Sequence, residues 1–271
     1  MRKTGRLKLL LGGGVLVLYA LVACLAPLVT AHGPYAQDLR QALRGPGKDH
    51  WLGTDELGRD VFSRVIYGAR ISPAIAVAAV AFALVAGTAI GCISGYFQGG
   101  LLEWVINGFI DLMLSFPPIL LAIAMMAVVG AGAVNLALAI GLVSVPAFAR
   151  LARGMTLVMV EKEFVEAARA VGQRPYKILV RHILPNIAAP LIVEASLRTG
   201  ASVLMAAGLS FLGVGPPPPA PEWGSMLSSS RAYLAVAPYL SLAPGLAITL
   251  LVIGFNWVGE GVVESRRVPL S

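Results

Sequence analysis

The sequence predicts an all-helical, polytopic membrane protein with six transmembrane helices, and three observations carry that prediction. Of 271 residues, 57% are hydrophobic and 13% charged, whereas a soluble domain carries roughly a quarter charged residues. The mean hydropathy is +0.79. The apolar residues fall in long uncharged runs, each of a length that the hydrocarbon of a bilayer demands. A soluble enzyme, a disordered tail and a disulfide scaffold are disfavoured, because so much apolar surface would find no polar cover. Cys24 and Cys92 both lie in apolar runs without metal-ligand or CxxC spacing and read as small membrane hydrophobes. The net charge of +7 is scattered between spans and forms no aromatic-basic patch, so it reports topology rather than nucleic acid.

A spanning helix needs about 20 apolar residues at 1.5 Å rise each. Leu9 to Val29 has no charge and follows Arg2, Lys3, Arg6 and Lys8; its apolar run is too long for the roughly 7–15 residues of a signal-peptide core, so an uncleaved first span is expected. The second span is expected over 72–97. The 38 uncharged residues between Asp111 and Arg150 exceed one span and must fold back, with Gly130, Gly132 and Asn135 marking the turn. This gives spans over 104–129 and 134–152. The fifth is expected over 187–214, ended by Gly215 and the prolines Pro216 to Pro219, and the last over 238–259. Thirteen Lys and Arg then fall on one side, including Arg266 and Arg267, and seven on the other. The positive-inside rule places both termini in the cytoplasm.

Three extramembrane segments hold the dense polar information. The cytoplasmic one reads Glu166-Ala167-Ala168, three residues, Gly172, then Arg181-His182-Ile183-Leu184-Pro185-Asn186. Helix formers flank Gly172 and Pro175 suits a first helical turn, so a short helix, a glycine turn and a second short helix are expected on the membrane surface. From charge alone, such a unit is equally an interfacial amphipathic helix without a partner. Between the first two spans lies His50-Trp51-Leu52-Gly53-Thr54-Asp55-Glu56-Leu57-Gly58-Arg59-Asp60, continuing to Arg64 and Gly68. It offers turns and caps, with Asp55 and Asp60 placed to cap or neutralise Arg59 and Arg64. Before the last span come Ser210-Phe211-Leu212-Gly213 and Trp223-Gly224-Ser225-Met226-Leu227, separated by prolines.

Taken together, these motifs resemble the transmembrane subunits of ATP-binding-cassette importers, in the C-type permeases of the dipeptide, oligopeptide and nickel branch. The resemblance runs from about Trp51 to Glu260 and implies a type I importer permease fold. It divides the chain into 1–70, a first span with an external segment, and 71–265, a permease core carrying a coupling loop at 153–186. It implies that the loop docks on a separate ATPase, with Ala167 and Ala168 permitting close approach, Gly172 making the bend, Glu166 offering a charge, and Leu184-Pro185 closing the motif. It implies as partners a homologous permease, two ATPase subunits and an external solute-binding protein, with Asp55, Arg59, Asp60 and Trp223 as external docking residues or scaffold. The location implied is a bacterial cytoplasmic (inner) membrane. The chain departs from the family at Gly259-Glu260, where Gly-Asp is usual, in Val263 to Arg267, and in Met205 to Gly208, which lacks an acidic residue.

Within the spans, Gly87, Gly91 and Gly95 form a stripe extended by Ala79 and Ala83; it packs either inside the subunit or against a second permease. Glu194 and Arg198, four apart on the fifth span, either neutralise each other or line a translocation path. There is no Gly-x-x-x-x-Gly-Lys-(Ser/Thr) loop, so ATP is expected to be hydrolysed elsewhere and the chain is expected not to be an enzyme and to hold no cofactor. His32, His50 and His182 are read as too far apart to ligate a metal. The expected activity is ATP-driven import of short peptides by alternating access. Nickel or a nickel chelate is the alternative cargo, and an ATP-independent carrier or channel the competing class.

Overall fold

In a computed structural model, residues 2–266 are described; Arg267 of the expected cytoplasmic basic pair lies outside them. The described residues are almost wholly helical: α1 (Arg2–Val29), α2 (Val61–Tyr96), α3 (Leu101–Leu114), α4 (Pro118–Val129), α5 (Ala133–Val160), α6 (Glu163–Ala170), α7 (Pro175–Ile178), α8 (Leu184–Phe211), α9 (Trp223–Ser230) and α10 (Tyr239–Arg266). Five helical stretches are long and apolar enough to span, and the pair α3 and α4 makes a sixth if counted as one.

The third expected span is therefore corrected. Leu101–Leu114 and Pro118–Val129 are bent by 95° at the break. Pro117 and Pro118 are the cause, since proline removes a backbone donor and its ring pushes against the preceding turn. The other helices also outrun their expected bounds at one end or the other. α2 begins well before residue 72 because Asp60 caps it: its Oδ2 accepts the Ser63 backbone N–H at 2.7 Å and hydroxyl at 2.6 Å. α5 continues to Val160, and the fifth span is helical from Pro175 through Phe211.

The chain divides into two compact units that interleave along the sequence. One comprises residues up to Val77, 123–137 and 196 onward; the other comprises 78–122 and 138–195.

In the first unit α1 and α10 run antiparallel. Tyr19 Oη donates to the Ala247 carbonyl at 2.7 Å, and Lys8 Nζ meets Glu260 at 2.8 Å and Glu264 at 2.6 Å. A methyl on Gly12 would lie 2.7 Å from the Gly254 carbonyl, and one on Gly261 2.8 Å from that of Gly5. Small residues thus bring the two backbones together where lipid supplies no hydrophobic drive. The antiparallel pairing also puts the start of α1 and the end of α10 at the same end of the unit. The core of this unit gathers Ala69, Ala76, Val203, Trp223, Met226 and Leu251.

The second unit packs α2 against α5. A methyl on Gly87 would sit 2.6 Å from Phe148 Cβ, one on Gly91 would strike the Ala149 carbonyl, and one on Gly95 would lie 2.9 Å from Thr156 Cβ. The glycine stripe packs inside the subunit. The same core continues through Val160, Val165, Ala168, Ile178, Ile183 and Ile187, so the extramembrane elements share it with the spans.

Candidate functional site

The motif from Glu166 to Asn186 forms an elbow within the second unit. α6 turns its Val165 and Ala168 inward and leaves Phe164, Glu166 and Ala167 exposed. It ends in a Schellman arrangement: Gln173 N–H donates to the Ala168 carbonyl at 3.1 Å and Gly172 N–H to that of Arg169 at 2.9 Å. Gly172 has φ +74°, and a Cβ there would meet nothing within 4 Å. Backbone handedness, not crowding, selects glycine at this position.

The second short helix is not separate. α7 passes through one π-helical stretch, Leu179–Ile183, directly into α8. Pro185 has no N–H to return to the Arg181 carbonyl, and widening the preceding turn relieves its ring. Asn186 Nδ2 donates to the His182 carbonyl at 2.6 Å, while His182 Nε2 lies 3.0 Å from Gln173 Oε1 and so ties the widened turn to the glycine bend. Arg169 lies over the Tyr96 ring at 5.0 Å, fastening α6 to the end of α2. Glu166, Ala167, Gly172, Leu184 and Pro185 are exposed together with Val171 at 75%. Ala168 is the exception: at 5% exposure it faces the subunit's own core, so close approach of an outside partner does not involve it directly.

The motif between the first two spans, in the first unit, is closed rather than open. Asp55 Oδ2 takes Arg59 Nε at 2.6 Å with Arg64 Nε at 3.6 Å, and its Oδ1 accepts the backbone N–H of Leu57 and Arg59. Arg64 also donates to the carbonyls of Pro34 and Pro219, at 3.1 and 3.2 Å. Gly53 and Gly58 make the turns at φ +73° and +72°, and Asp38 carries hydrogen bonds from Gln41 and Arg40 N–H that hold its carboxyl below the ordinary range. Asp55, Arg59, Asp60 and Trp223 are all under 9% exposed. Trp223 in particular is core rather than interface: its indole N–H donates to the Val65 carbonyl at 3.0 Å, and Gly68 leaves it room. Glu222, 1% exposed, caps α9 through Gly224 N–H and Ser225 N–H.

The architecture and both motifs can be set beside known proteins. Residues 87–267 match the family described as the binding-protein-dependent transport system inner membrane component. The chain belongs to this family. The permease is 44% identical over 251 residues to the dipeptide transport system permease protein DppC of Alkalihalophilus pseudofirmus, covering 93% of this chain and 82% of that one. It is 44% identical over 227 residues to the glutathione transport system permease protein GsiD of Pectobacterium atrosepticum (84% and 75% covered). For GsiD of Escherichia coli the identity is 47% over 221 residues (82% and 73%). Among solved structures, the fold matches an inward-facing MetNI methionine ABC transporter chain at TM-score 0.61 and 20% identity, covering 76% of this chain and 98% of that one.

The permease also holds charged groups that sequence reasoning used only as span boundaries. Arg150 Nη2 meets Asp111 Oδ1 at 2.8 Å, and Arg153 bonds Glu103. Glu103 and Asp111 are eight residues apart on α3, roughly 12 Å of rise, yet their arginines are three apart on α5, roughly 4.5 Å; α3 crosses α5 obliquely. Glu194 and Arg198 stand half-buried on α8 and neither is without a partner. The histidine expectation is corrected for one pair: the His32 and His50 rings are 4.7 Å apart, beside Asp60. Folding of the segment between the first two spans brings them together, which linear distance hides. His50 Nδ1 is spoken for by Asp60 Oδ1 at 2.9 Å, and its Nε2 lies 3.2 Å from Gln41 Oε1.

Proposed function

We propose that this permease is one of a pair in a bacterial inner-membrane importer of short peptides, driven by two separate ATPase subunits and supplied by an external solute-binding protein. Relatives named for dipeptide and for glutathione support peptide cargo over nickel. Both termini lie in the cytoplasm in this reading, which the basic N-terminal segment and the antiparallel α1–α10 pairing support. Residues 71–265 form the permease core, and residues 1–70 add a span and an external segment.

The observation that carries the mechanism is the elbow. Its outward face offers Glu166, Ala167, Leu184 and Pro185 with the apolar Phe164 and Val171, a small convex surface suited to a cleft in an ATPase. Its inner face is core. Because Pro175–Phe211 is one helical stretch, a displacement at the elbow reaches the membrane without crossing a loop. ATP-driven closure of the ATPases would thereby rock the spans between inward- and outward-open states, and the π turn supplies local compliance. Asp55, Arg59, Asp60 and Trp223 hold the shape of the external face, so their part in docking a binding protein is indirect. Glu194 and Arg198 are assigned to the path or to its support.

The test is uptake of labelled dialanine and glutathione by cells lacking this gene and by cells carrying it back. Energy-dependent uptake restored by the gene is expected. Uptake that persists when ATP is depleted would point to a carrier and reject this reading.

A further inference from the structure

The α3–α5 face of the second unit carries a polar cleft that none of the motifs above accounts for. It is lined by Asn107, Ile110, Asp111, Arg150 and Arg153 and has a volume of about 370 Å³; a neighbouring hollow shares Asn107 and Asp111 and adds Gly108. Such volumes fall in the range of roughly 300–1,000 Å³ typical of small-ligand sites.

Three features set this cleft apart from a packing seam. The Asp111 and Arg150 side chains are 67% and 62% exposed although they are bonded to each other. Arg150 lies on the spanning helix α5, where a guanidinium turned to lipid is costly. Beside it, Arg153 Nε is buried without a hydrogen-bond partner even though the same guanidinium bonds Glu103. A buried N–H left without an acceptor costs free energy and calls for one. The α2–α5 seam that this unit does build, at Gly87, Gly91 and Gly95, closes on small residues and backbone instead.

We infer that this cleft is a cargo site on the translocation path. Arg150 and Arg153 receive the carboxylate end of a zwitterionic short peptide and Asp111 its ammonium end. The Asp111–Arg150 bond is the placeholder that the cargo displaces, which keeps both charges compensated when the cleft is vacant. A substrate bearing one positive and one negative terminus matches a site with both signs; a bare cation or anion leaves one half unanswered. This inference rests on the peptide-importer reading and deepens it.

The test uses the complete transporter in proteoliposomes with ATP and its binding protein. Asp111→Asn is expected to reach the membrane in normal amount and to lower dialanine uptake about tenfold, the effect of losing one charge-assisted hydrogen bond. The reversed pair, Asp111→Arg with Arg150→Asp, is expected not to restore it, because Arg153 no longer has its matching neighbour. In a separate arm, Gly108→Cys, where a side chain meets nothing within 4 Å, is labelled with a charged thiol reagent. Dialanine is expected to slow that labelling during turnover, and dialanine blocked at both ends is not. Restoration of uptake by the reversed pair would make Asp111–Arg150 a structural bond and overturn the inference. Labelling of Gly108→Cys unaffected by dialanine would do the same. A cysteine unreactive in the whole complex, with or without peptide, would assign the face to the second permease instead. Failure of the unaltered transporter to import either dialanine or glutathione would remove the peptide reading itself, and the inference with it.

Discussion

The segment between the first two spans and the elbow have similar charge density in the sequence but opposite construction. In the first, Asp55, Arg59 and Arg64 turn inward and answer one another, and Asp60 pairs with His50. At the elbow, Glu166, Arg169, Arg174 and Arg181 stay on the surface, and only apolar side chains such as Val165 and Ile183 face in. Charge buried in pairs fixes a shape, since each ion's desolvation is offset only by its partner. Charge left exposed over an apolar base leaves a surface that another protein can use. In the proposed importer the first region is the scaffold and the second the docking element.

The largest effect should come from opening the Asp55 network. Asp55→Ala leaves Arg59 and Arg64 in a buried site without their shared carboxylate, although Arg59 keeps Glu56 at 3.2 Å. A loss of about 3 kcal/mol is expected, read as a fall in thermal midpoint in detergent and in membrane abundance. Unchanged stability would erase the contrast between the two regions.

At the elbow, the effect should fall on transport. Gly172→Val is expected to abolish uptake at normal membrane abundance, because a β-branched residue resists φ near +74°. Gly172→Asn should retain a substantial share of uptake, since asparagine tolerates that region and the site has room. Equal loss in both variants would mean that something outside the subunit fills the space beside Gly172.

The two neighbouring alanines sharpen the comparison further. Ala168→Leu should destabilise by roughly 1–3 kcal/mol through overpacking of the core. Ala167→Leu should leave the thermal midpoint unchanged and lower the ATP hydrolysis that the binding protein stimulates in the whole complex. Reversed outcomes would turn α6 the other way round. The smallest effect belongs to Glu260→Gln, which removes one of two partners from the partly exposed Lys8. No resolvable shift of the thermal midpoint is expected, since water screens so exposed a pair; the same melt checks it.

Local signals were legible where the cause is local. The length of the apolar runs and the glycine at 172 each act within a turn or two, so the spans and the bend announce themselves; the break at Pro117 and Pro118 falls inside what reads as one span over 104–129. Helix ends were less legible. α2 reaches back to Val61 because Asp60 caps it, and the charges of Arg64 and Arg70 read as loop until their partners are known. The sequence by itself determined the membrane class, the span count within one broken helix, and the identity of the elbow as the segment to watch. Only the tertiary structure decided which of two adjacent alanines faces out, that the Gly87 stripe closes inside the subunit, and that Trp223 is core. It alone brought His32 to His50 and Asp111 to Arg150. These depend on which element packs on which face, and that choice is made by pairs of residues tens to hundreds of positions apart, whose complementarity leaves no mark in any single stretch of sequence.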